Sequence, residues 1–346
     1  YSDPDVHGFN PSLRAGTKVW TLDGIKPIEE LQDKEFLVRN LHGDIAKASC
    51  WLSKPKAQLY RIKLSGGHEY YCTAEHKWPI FTPQGWVKAE TTELLPGHLL
   101  PINKFKTISV GNLGTREDGF FIGWLYGDGG IHIRKDNNRP QLNLIVSKKD
   151  DESGVSTTLL NKLNSLKAET SNWSERKGNK ELSCSSGSVF EWLDLFGVDY
   201  SCKRLPSKIW GECSEEFIRG FVDGLFSSDG TVESSYKSAK VMLSSSKTEL
   251  IQDVSELLGF YGIKHGMYHI DSKLNGKIFD RYTLYISSRE NIEHFRTTFS
   301  LTVKHKQDSL SSISRTDVRP LLGSVYKIES VELTDIEEPV WDINVK

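Results

Sequence analysis

Two Asp-Gly pairs have the spacing in this chain that most suggests chemistry. Asp128-Gly129 ends the apolar stretch Phe120-Phe-Ile-Gly-Trp-Leu-Tyr-Gly-Asp-Gly129, and Asp229-Gly230 ends Phe221-Val-Asp-Gly-Leu-Phe-Ser-Ser-Asp-Gly230. Each stretch reads as a helix with an internal glycine (Gly123, Gly224), which lets a facing helix approach closely. If the two helices pack together, Asp128 and Asp229 emerge side by side. Two carboxylates so placed repel each other unless a divalent cation lies between them. An all-oxygen donor set favours magnesium over zinc. A metal held between two aspartates suits in-line hydrolysis of a phosphodiester. A single Asp-Gly after a helix is ordinarily only a turn; two copies in matched context make the metal reading the stronger one. Gly129 and Gly230 are expected in the left-handed conformation common at helix C-termini.

The elements that must position these residues follow from the rest of the 346-residue chain. Residues 12–100 alternate short apolar runs with Gly, Pro and Asp turns, a strand pattern with one short helical candidate at Pro27–Leu31. Residues 118–316 switch to longer helical periods interleaved with strands. Residues 320–346 return to strands, in Val325–Glu329 and Val340–Val345. An all-β unit interrupted by an α/β unit and then resumed is an insertion architecture, which exposed loop tips tolerate. The α/β part repeats itself. After each Asp-Gly comes a strand, a second strand ending in Ser-Lys (Ser147-Lys148, Ser246-Lys247), and a helix with apolar spacing in Leu159, Leu160, Leu163 and in Leu250, Val254, Leu257, Leu258. A further strand and helix follow, near Phe190 and near Ile292. The two aspartates lie 101 residues apart (128 to 229), a duplicated half-domain rather than a solenoid period. Similar halves pack about a pseudo-twofold axis, where equivalent features meet.

Composition narrows the classes further. Hydrophobic residues make up 37% and charged residues 26% of the chain, an ordinary globular balance that argues against disorder or coiled coil. No apolar run is long enough to span a membrane, and no signal-like segment opens the chain. Five cysteines without a CxxC pair argue against a zinc ribbon or disulfide framework, and for a reducing, intracellular, cytoplasmic setting. A net charge of −2 neither advertises nucleic-acid binding nor excludes it. Arg134, Lys135, Arg139, Lys148, Lys149, Arg281 and Arg289 sit in or beside expected strands and their loops. One sheet face could therefore be basic and enter a major groove.

Phe121–Gly129 and Val222–Gly230 resemble the two copies of the LAGLIDADG motif of homing endonucleases, departing from it at Tyr126 and Ser227. The resemblance implies paired αββαββα halves straddling double-stranded DNA and acting as a monomer on a long asymmetric site. It also implies two or more Mg²⁺ ions at the Asp128/Asp229 interface, with Gly127 and Ser228 in the metal-site set. A lysine near the metals is implied in each half. Lys203, in Cys202-Lys-Arg-Leu-Pro206, matches the first, and Lys304 and Lys306 both remain open for the second. Such a lysine can polarise the attacking water or neutralise phosphate charge.

The flanking β unit resembles the Hint-type, horseshoe-like splicing domain of inteins. Ser12–Val19 with Asp23–Leu31 is similar to the first splicing block, Cys72-Thr-Ala-Glu-His76 to the second, and Val340–Lys346 to the strand block near an intein C-terminus. The implied roles are Ser12 as nucleophile of an acyl shift, Thr73 and His76 as its helpers, and Asp342 as the group coupling later steps. Making an ester from a planar amide is uphill and needs strain, oxyanion donors and a proton for the leaving nitrogen. Residues 1–11 then read as host (extein) flank, and Asn10-Pro11 resembles the Asn-Pro before the nucleophile in ribonucleotide reductase large subunits. Ending at Lys346, the chain lacks the His-Asn pair of a complete intein, so at most cleavage or ester formation at Pro11–Ser12 is expected. The expected partition is 12–105 with 318–346 for splicing and 106–317 for the nuclease, in halves 106–200 and 201–317. Two alternatives stay open: an intein whose endonuclease has decayed to DNA binding, and a hedgehog-type autoprocessing domain without nuclease activity.

Overall fold

The computed structural model describes residues 12–39, 45–102, 107–199, 203–235, 239–274, 277–313 and 325–345. The chain divides into two units: 1–105 with 260–267 and 320–346, and 106–259 with 268–319. Residues 260–267, which the sequence leaves in the second nuclease half, group with the first unit. The host flank 1–11 lies outside the described residues.

The first unit is built almost entirely of strands: β1 (Leu13–Arg14), β2 (Lys18–Thr21), β3 (Gly24–Pro27), β4 (Glu35–Arg39), β5 (Ile45–Leu64), β6 (His68–Cys72), β7 (Lys77–Thr82), β8 (Gly85–Glu90), β9 (Leu99–Pro101) and, far along the chain, β18 (Val325–Val345). Their order in one sheet is β3-β2-β4-β5-β6-β1-β18-β9-β7-β8, with β5 also pairing β18. The expected helix near Pro27–Leu31 is a single 3-10 turn, Ile28–Leu31. Where the sequence suggests two late strands, the structure has one 21-residue strand. Pro339 has no N–H to give a ladder, and the strand accommodates it with a register shift between Glu338 and Val340 rather than a break. Ile62, Leu64, Cys72, Ile80, Leu94, Leu100 and Ile328 form the main core of this sheet.

The second unit runs twice through helix–strand–strand–helix–strand–strand–helix. Its first half is α1 (Arg116–Tyr126), β10 (Gly129–Ile133), β11 (Pro140–Ser147), the short α2 (Lys148–Asp151) with α3 (Val155–Ser165), β12 (Ser174–Arg176), β13 (Asn179–Cys184) and α4 (Gly187–Leu195). Its second half is α5 (Glu215–Ser228), β14 (Gly230–Glu233), β15 (Lys240–Ser245), α6 (Thr248–Phe260), β16 (Gly266–Leu274), β17 (Lys277–Ile286) and α7 (Arg289–Thr298), followed by α8 (Lys304–Ser312). The sheets have the same topology, β10-β11-β13-β12 and β14-β15-β17-β16. Leu142, Leu144, Val146 and Leu182 in one, and Val241, Leu243, Leu284 and Ile286 in the other, are buried beneath the helices. The alternate residues of each strand therefore face the open side.

Helices α1 and α5 start on side-chain caps. Thr115 Oγ1 accepts from the Asp118 N–H while Asp118 accepts from Thr115 N, a capping box. Ser214 Oγ accepts from Phe217 N at 3.0 Å. No described helix is long and apolar enough to cross a membrane.

Candidate metal and nucleic-acid site

The site is set by how closely α1 and α5 approach. A Cβ added at Gly119 or Gly123 would stand 2.0 Å from Phe217 O or 2.1 Å from Phe221 O of the facing helix. One added at Gly220 or Gly224 would meet Arg116 O at 2.0 Å or Phe120 O at 2.2 Å. Only glycine fits at these four crossing points, and the helices interlock backbone to backbone. The close approach continues to the helix ends, where a Cβ on Gly127 would lie 2.0 Å from Ser228 Oγ. Asp128 and Asp229 are the next residues. Gly129 and Gly230 do not take the left-handed conformation expected of them, since neither has a positive φ. They are glycines for space instead: a Cβ there would meet Leu125 Cα at 2.8 Å or Phe226 O at 2.3 Å.

The two carboxylates act on each other electrostatically. Burial first, and then the Asp229 charge, raise the Asp128 pKa to about 6, with Asp150 adding to the rise and Lys306 and Lys203 opposing it. Burial also raises Asp229, against Lys203 and Lys306. Water reaches Asp229, which is exposed, whereas Asp128 is half-buried. Both also follow the negative ends of their helices, which disfavours their charge further. Two carboxylates that resist ionising together, with Gly127 and Ser228 alongside, fit a hard divalent cation with oxygen donors.

An ammonium stands at each helix end. Lys203 Nζ donates to Tyr126 O at 2.8 Å. Lys306 Nζ donates to Ser227 O at 2.6 Å and to Ser228 O at 2.5 Å. Burial lowers the pKa of both lysines, and the Asp128 and Asp229 charges counter it. Lys304 is turned outward and paired with Asp308 at 2.9 Å. Of the two lysines left open by the sequence, Lys306 is therefore the one directed at the site.

The expected DNA-contacting side chains are dispersed. Arg134, Lys135 and Arg139 lie in the β10–β11 connection, Arg134 held by Asp136 at 2.5 Å. Lys148 and Lys149 are exposed on α2. Arg281 is on the open face of its sheet and donates to Ser244 Oγ at 3.1 Å, while Arg289 opens α7 on the helical side. The open face of the first sheet is polar rather than basic, with Asn143 bonded to both His132 and Ser183.

Sequence reasoning missed the buried acids that fix the lysine segments. Asp223, inside α5, accepts from Thr302 N at 2.7 Å and Thr302 Oγ1 at 2.8 Å, and so fixes the start of α8. Asp253 is 3% exposed and accepts from Arg204 and from the backbone of Leu205. Its signal was present: a charge between Leu250 and Leu257 on the apolar face of a helix demands a buried partner.

In the first unit, register assembles a separate cluster. Leu13 pairs with both Cys72 and Trp341. Continuing each ladder by one residue sets Ser12 opposite Thr73 and Asp342, and Thr73 N donates to Ser12 O at 3.2 Å. Ser12, Thr73 and Asp342 are 3%, 2% and 2% exposed. Thr73 Oγ1, His76 Nδ1 and Asp342 Oδ1 are buried without a hydrogen bond; Glu75 is within electrostatic reach of Thr73 but outside hydrogen-bond geometry. His76 packs edge-on against Trp78, and burial pushes its pKa down to about 4. Three such orphaned polar groups on the segments around Ser12 and Thr73 are costly for folding alone. The peptide before Ser12 lies outside the described residues.

Residues 216–299 match the model of the LAGLIDADG-like domain. Among curated proteins, the chain is 24% identical over 259 residues to the Bacillus subtilis ribonucleoside-diphosphate reductase NrdEB subunit alpha, covering 70% of this chain and 23% of that protein. It is 22% identical over 267 residues to a probable translation initiation factor IF-2 of Pyrococcus horikoshii, covering 77% and 21%. The chain thus spans less than a quarter of the length of these relatives. Among solved structures, it resembles the homing endonuclease I-DmoI E117A in complex with its target DNA in the presence of Mn, with 17% identity and a TM-score of 0.39 over 56% of this chain and 97% of that one. It also resembles the PabCDC21-1 intein, with 16% identity and a TM-score of 0.20 over 26% and 71%.

Proposed function

We propose that the chain is an intein bearing a site-specific homing endonuclease. The second unit cuts both strands of a long, asymmetric DNA site in the uninterrupted host gene, working as a monomer. The observation that carries this reading is the pair Asp128 and Asp229, delivered together by glycine-interlocked helices with a lysine ammonium at each helix end. Asp128, Asp229 and the neighbouring Gly127 and Ser228 would hold Mg²⁺, which supplies charge neutralisation at the scissile phosphate and acidifies water. Lys203 and Lys306 orient toward the same place and offset phosphate charge. Asp128 shares its surroundings with an opposing carboxylate, a repulsion that a bound cation would relieve. The open sheet faces, with Arg281 and the basic β10–β11 connection, lie against the duplex.

The first unit performs the acyl shift. Ser12 Oγ attacks the preceding carbonyl. Thr73 and His76 assist at the oxyanion and the leaving nitrogen, and Asp342 couples the later step with the host segments in cis. The orphaned polar atoms around Ser12 favour this reading. So does the variety of the relatives. A reductase subunit, an initiation factor and the RNA polymerase subunit Rpo1C of Methanocaldococcus jannaschii each match most of this chain over 21–28% of their own length. A segment shared by otherwise unlike proteins behaves as a portable insert.

The test is cleavage of a plasmid carrying the host gene rejoined across the insertion point, with Mg²⁺, beside Asp128→Asn and Asp229→Asn. Site-specific double-strand cutting lost in both variants supports the proposal. Binding without cutting moves the chain to the decayed-nuclease alternative.

A further inference from the structure

The connection between α4 and α5, which carries Lys203, follows the first half as α8, which carries Lys306, follows the second; counted in that way, rather than with a boundary at residue 200, the two lysines at the helix ends are held in place by partners from the opposite half. Lys203 points to the end of α1, in the first half, but its neighbour Arg204 is clamped by Asp253 of α6, in the second. Arg204 Nε and Nη2 donate to Asp253 at 3.0 and 2.6 Å, and Leu205 N donates to the same carboxylate at 3.1 Å. Lys306 points to the end of α5, in the second half, but its neighbour His305 bonds to Asp150 of α2, in the first, with Nε2 to Oδ1 at 2.8 Å. Lys304 N donates to Ser153 Oγ of that first-half segment at 2.8 Å. Both acids are nearly buried, at 3% and 7% exposure, and both lie on the helix that follows the second strand of their half. The arrangement is thus repeated across the pseudo-twofold with different chemistry, a bidentate Arg–Asp pair on one side and a single His–Asp bond on the other.

We infer that Asp253 with Arg204, and Asp150 with His305, are crossed positioning latches, each setting one lysine from the other half so that neither half assembles its site alone. The lysines carry long flexible stems, so fixing the adjacent backbone is what fixes each ammonium. The inference rests on the proposed nuclease reading for its consequence, that each latch governs cleavage of one DNA strand, but the positioning itself is measurable without DNA.

The experiment uses the full chain. Lysine acetylation by a soluble active ester is followed residue by residue by mass spectrometry, with the exposed Lys304 as internal reference. The variants are Arg204→Ala and Asp253→Asn for one latch, and His305→Ala and Asp150→Ala for the other. Arg204 and His305 lie toward the surface, so their truncation leaves a folded protein even where an acid variant does not. Losing a charge-assisted bond speeds modification of the latched lysine by about tenfold or more. The first pair of variants should expose Lys203 and spare Lys306, and the second pair the reverse, with His305→Gln restoring protection. Equal response of both lysines, or none, in a folded variant overturns the latches. On cleavable DNA, a misplaced lysine should slow one labelled strand by about a hundredfold, leaving nicked circles, and the two latches should affect opposite strands. A wild-type chain that cuts no DNA would overturn the nuclease reading while the acetylation pattern still decides the latches.

Discussion

Replacing Gly123 with alanine pits two effects of opposite sign against each other. Helix propensity favours alanine by about 1 kcal/mol, and on that ground alone Gly123→Ala stabilises. The new Cβ, however, would sit 2.1 Å from Phe221 O and 2.8 Å from Leu225 N, where real Cβ atoms keep at least 3.0 Å from such neighbours. The obstacle is main chain of the facing helix, not the end of a flexible side chain, so α1 and α5 must part by about 0.9 Å, the difference between 3.0 and 2.1 Å. Overpacking of this kind costs about 1–3 kcal/mol, and the upper end applies because nothing local can yield. The net is a loss of about 2 kcal/mol, or a fall in Tm of about 4–8 °C for a unit of this size. The same parting draws Gly127 from Ser228 and Asp128 from Asp229, so the Mg²⁺ dependence of Tm should weaken as well. Differential scanning calorimetry with and without Mg²⁺ reads both effects. An unchanged or raised Tm in Gly123→Ala, or in the equivalent Gly224→Ala, would refute the interlocked-helix account.

Other perturbations address the charges. Since Asp128 is raised from 3.8 to about 6, its ionised form destabilises the fold above pH 6 and the penalty fades as pH falls toward 4. Asp128→Asn should therefore stabilise the metal-free protein at pH 7.5 by about 1–2 kcal/mol after allowing for solvent screening, and not at pH 4. Urea midpoints at the two pH values check this, and equal shifts would count against it. Lys306→Met should turn double-strand cutting into nicking while Lys304→Met leaves it intact, as seen on agarose gels; matching effects would undo the assignment made from the Ser227 and Ser228 contacts. His76 and His265 have pKa values pushed down to about 4 and about 3 by burial, so the first unit should lose stability as pH drops from about 6.5 toward 4, when the unfolded chain protonates first. Gln at either position should blunt that loss in an acid titration followed by near-UV circular dichroism. Thr73→Val should leave Tm unchanged or raised, because its hydroxyl is buried without a hydrogen bond, while ester formation at Ser12, read by hydroxylamine cleavage, disappears.

The motif helices were legible because they are buried on nearly all sides, so that Phe, Ile, Trp and Leu alternate with glycines that the close packing requires. The repeat made the pairing of Asp128 with Asp229 readable without coordinates. Glycine conformation was less legible, since a sequence does not say whether Gly129 is needed for its φ or for its lack of a side chain. Nor does it distinguish Lys304 from Lys306, two residues apart at a helix start, because the choice depends on the angle at which α8 meets α5, set by Thr302 on Asp223. The long β18 was hidden by Pro339, a strand breaker that a bulge absorbs. The acids opposite the lysines were hidden by distance along the chain: Asp150 and His305 are ordinary in their own neighbourhoods and acquire meaning only together.

The place of β18 in the sheet also imposes an order of events during synthesis. Leu13, next to Ser12, completes its ladder with Trp341, almost the whole chain later. The two four-stranded sheets draw all their strands from between residues 129 and 286. At about 5–20 residues per second, a ribosome takes tens of seconds to pass from one partner to the other. In that interval the second unit can form while Ser12 waits without Asp342. Threading a late strand between β1, β5 and β9 thus acts as a clock, keeping the Ser12, Thr73 and Asp342 cluster unassembled until the second unit has been made.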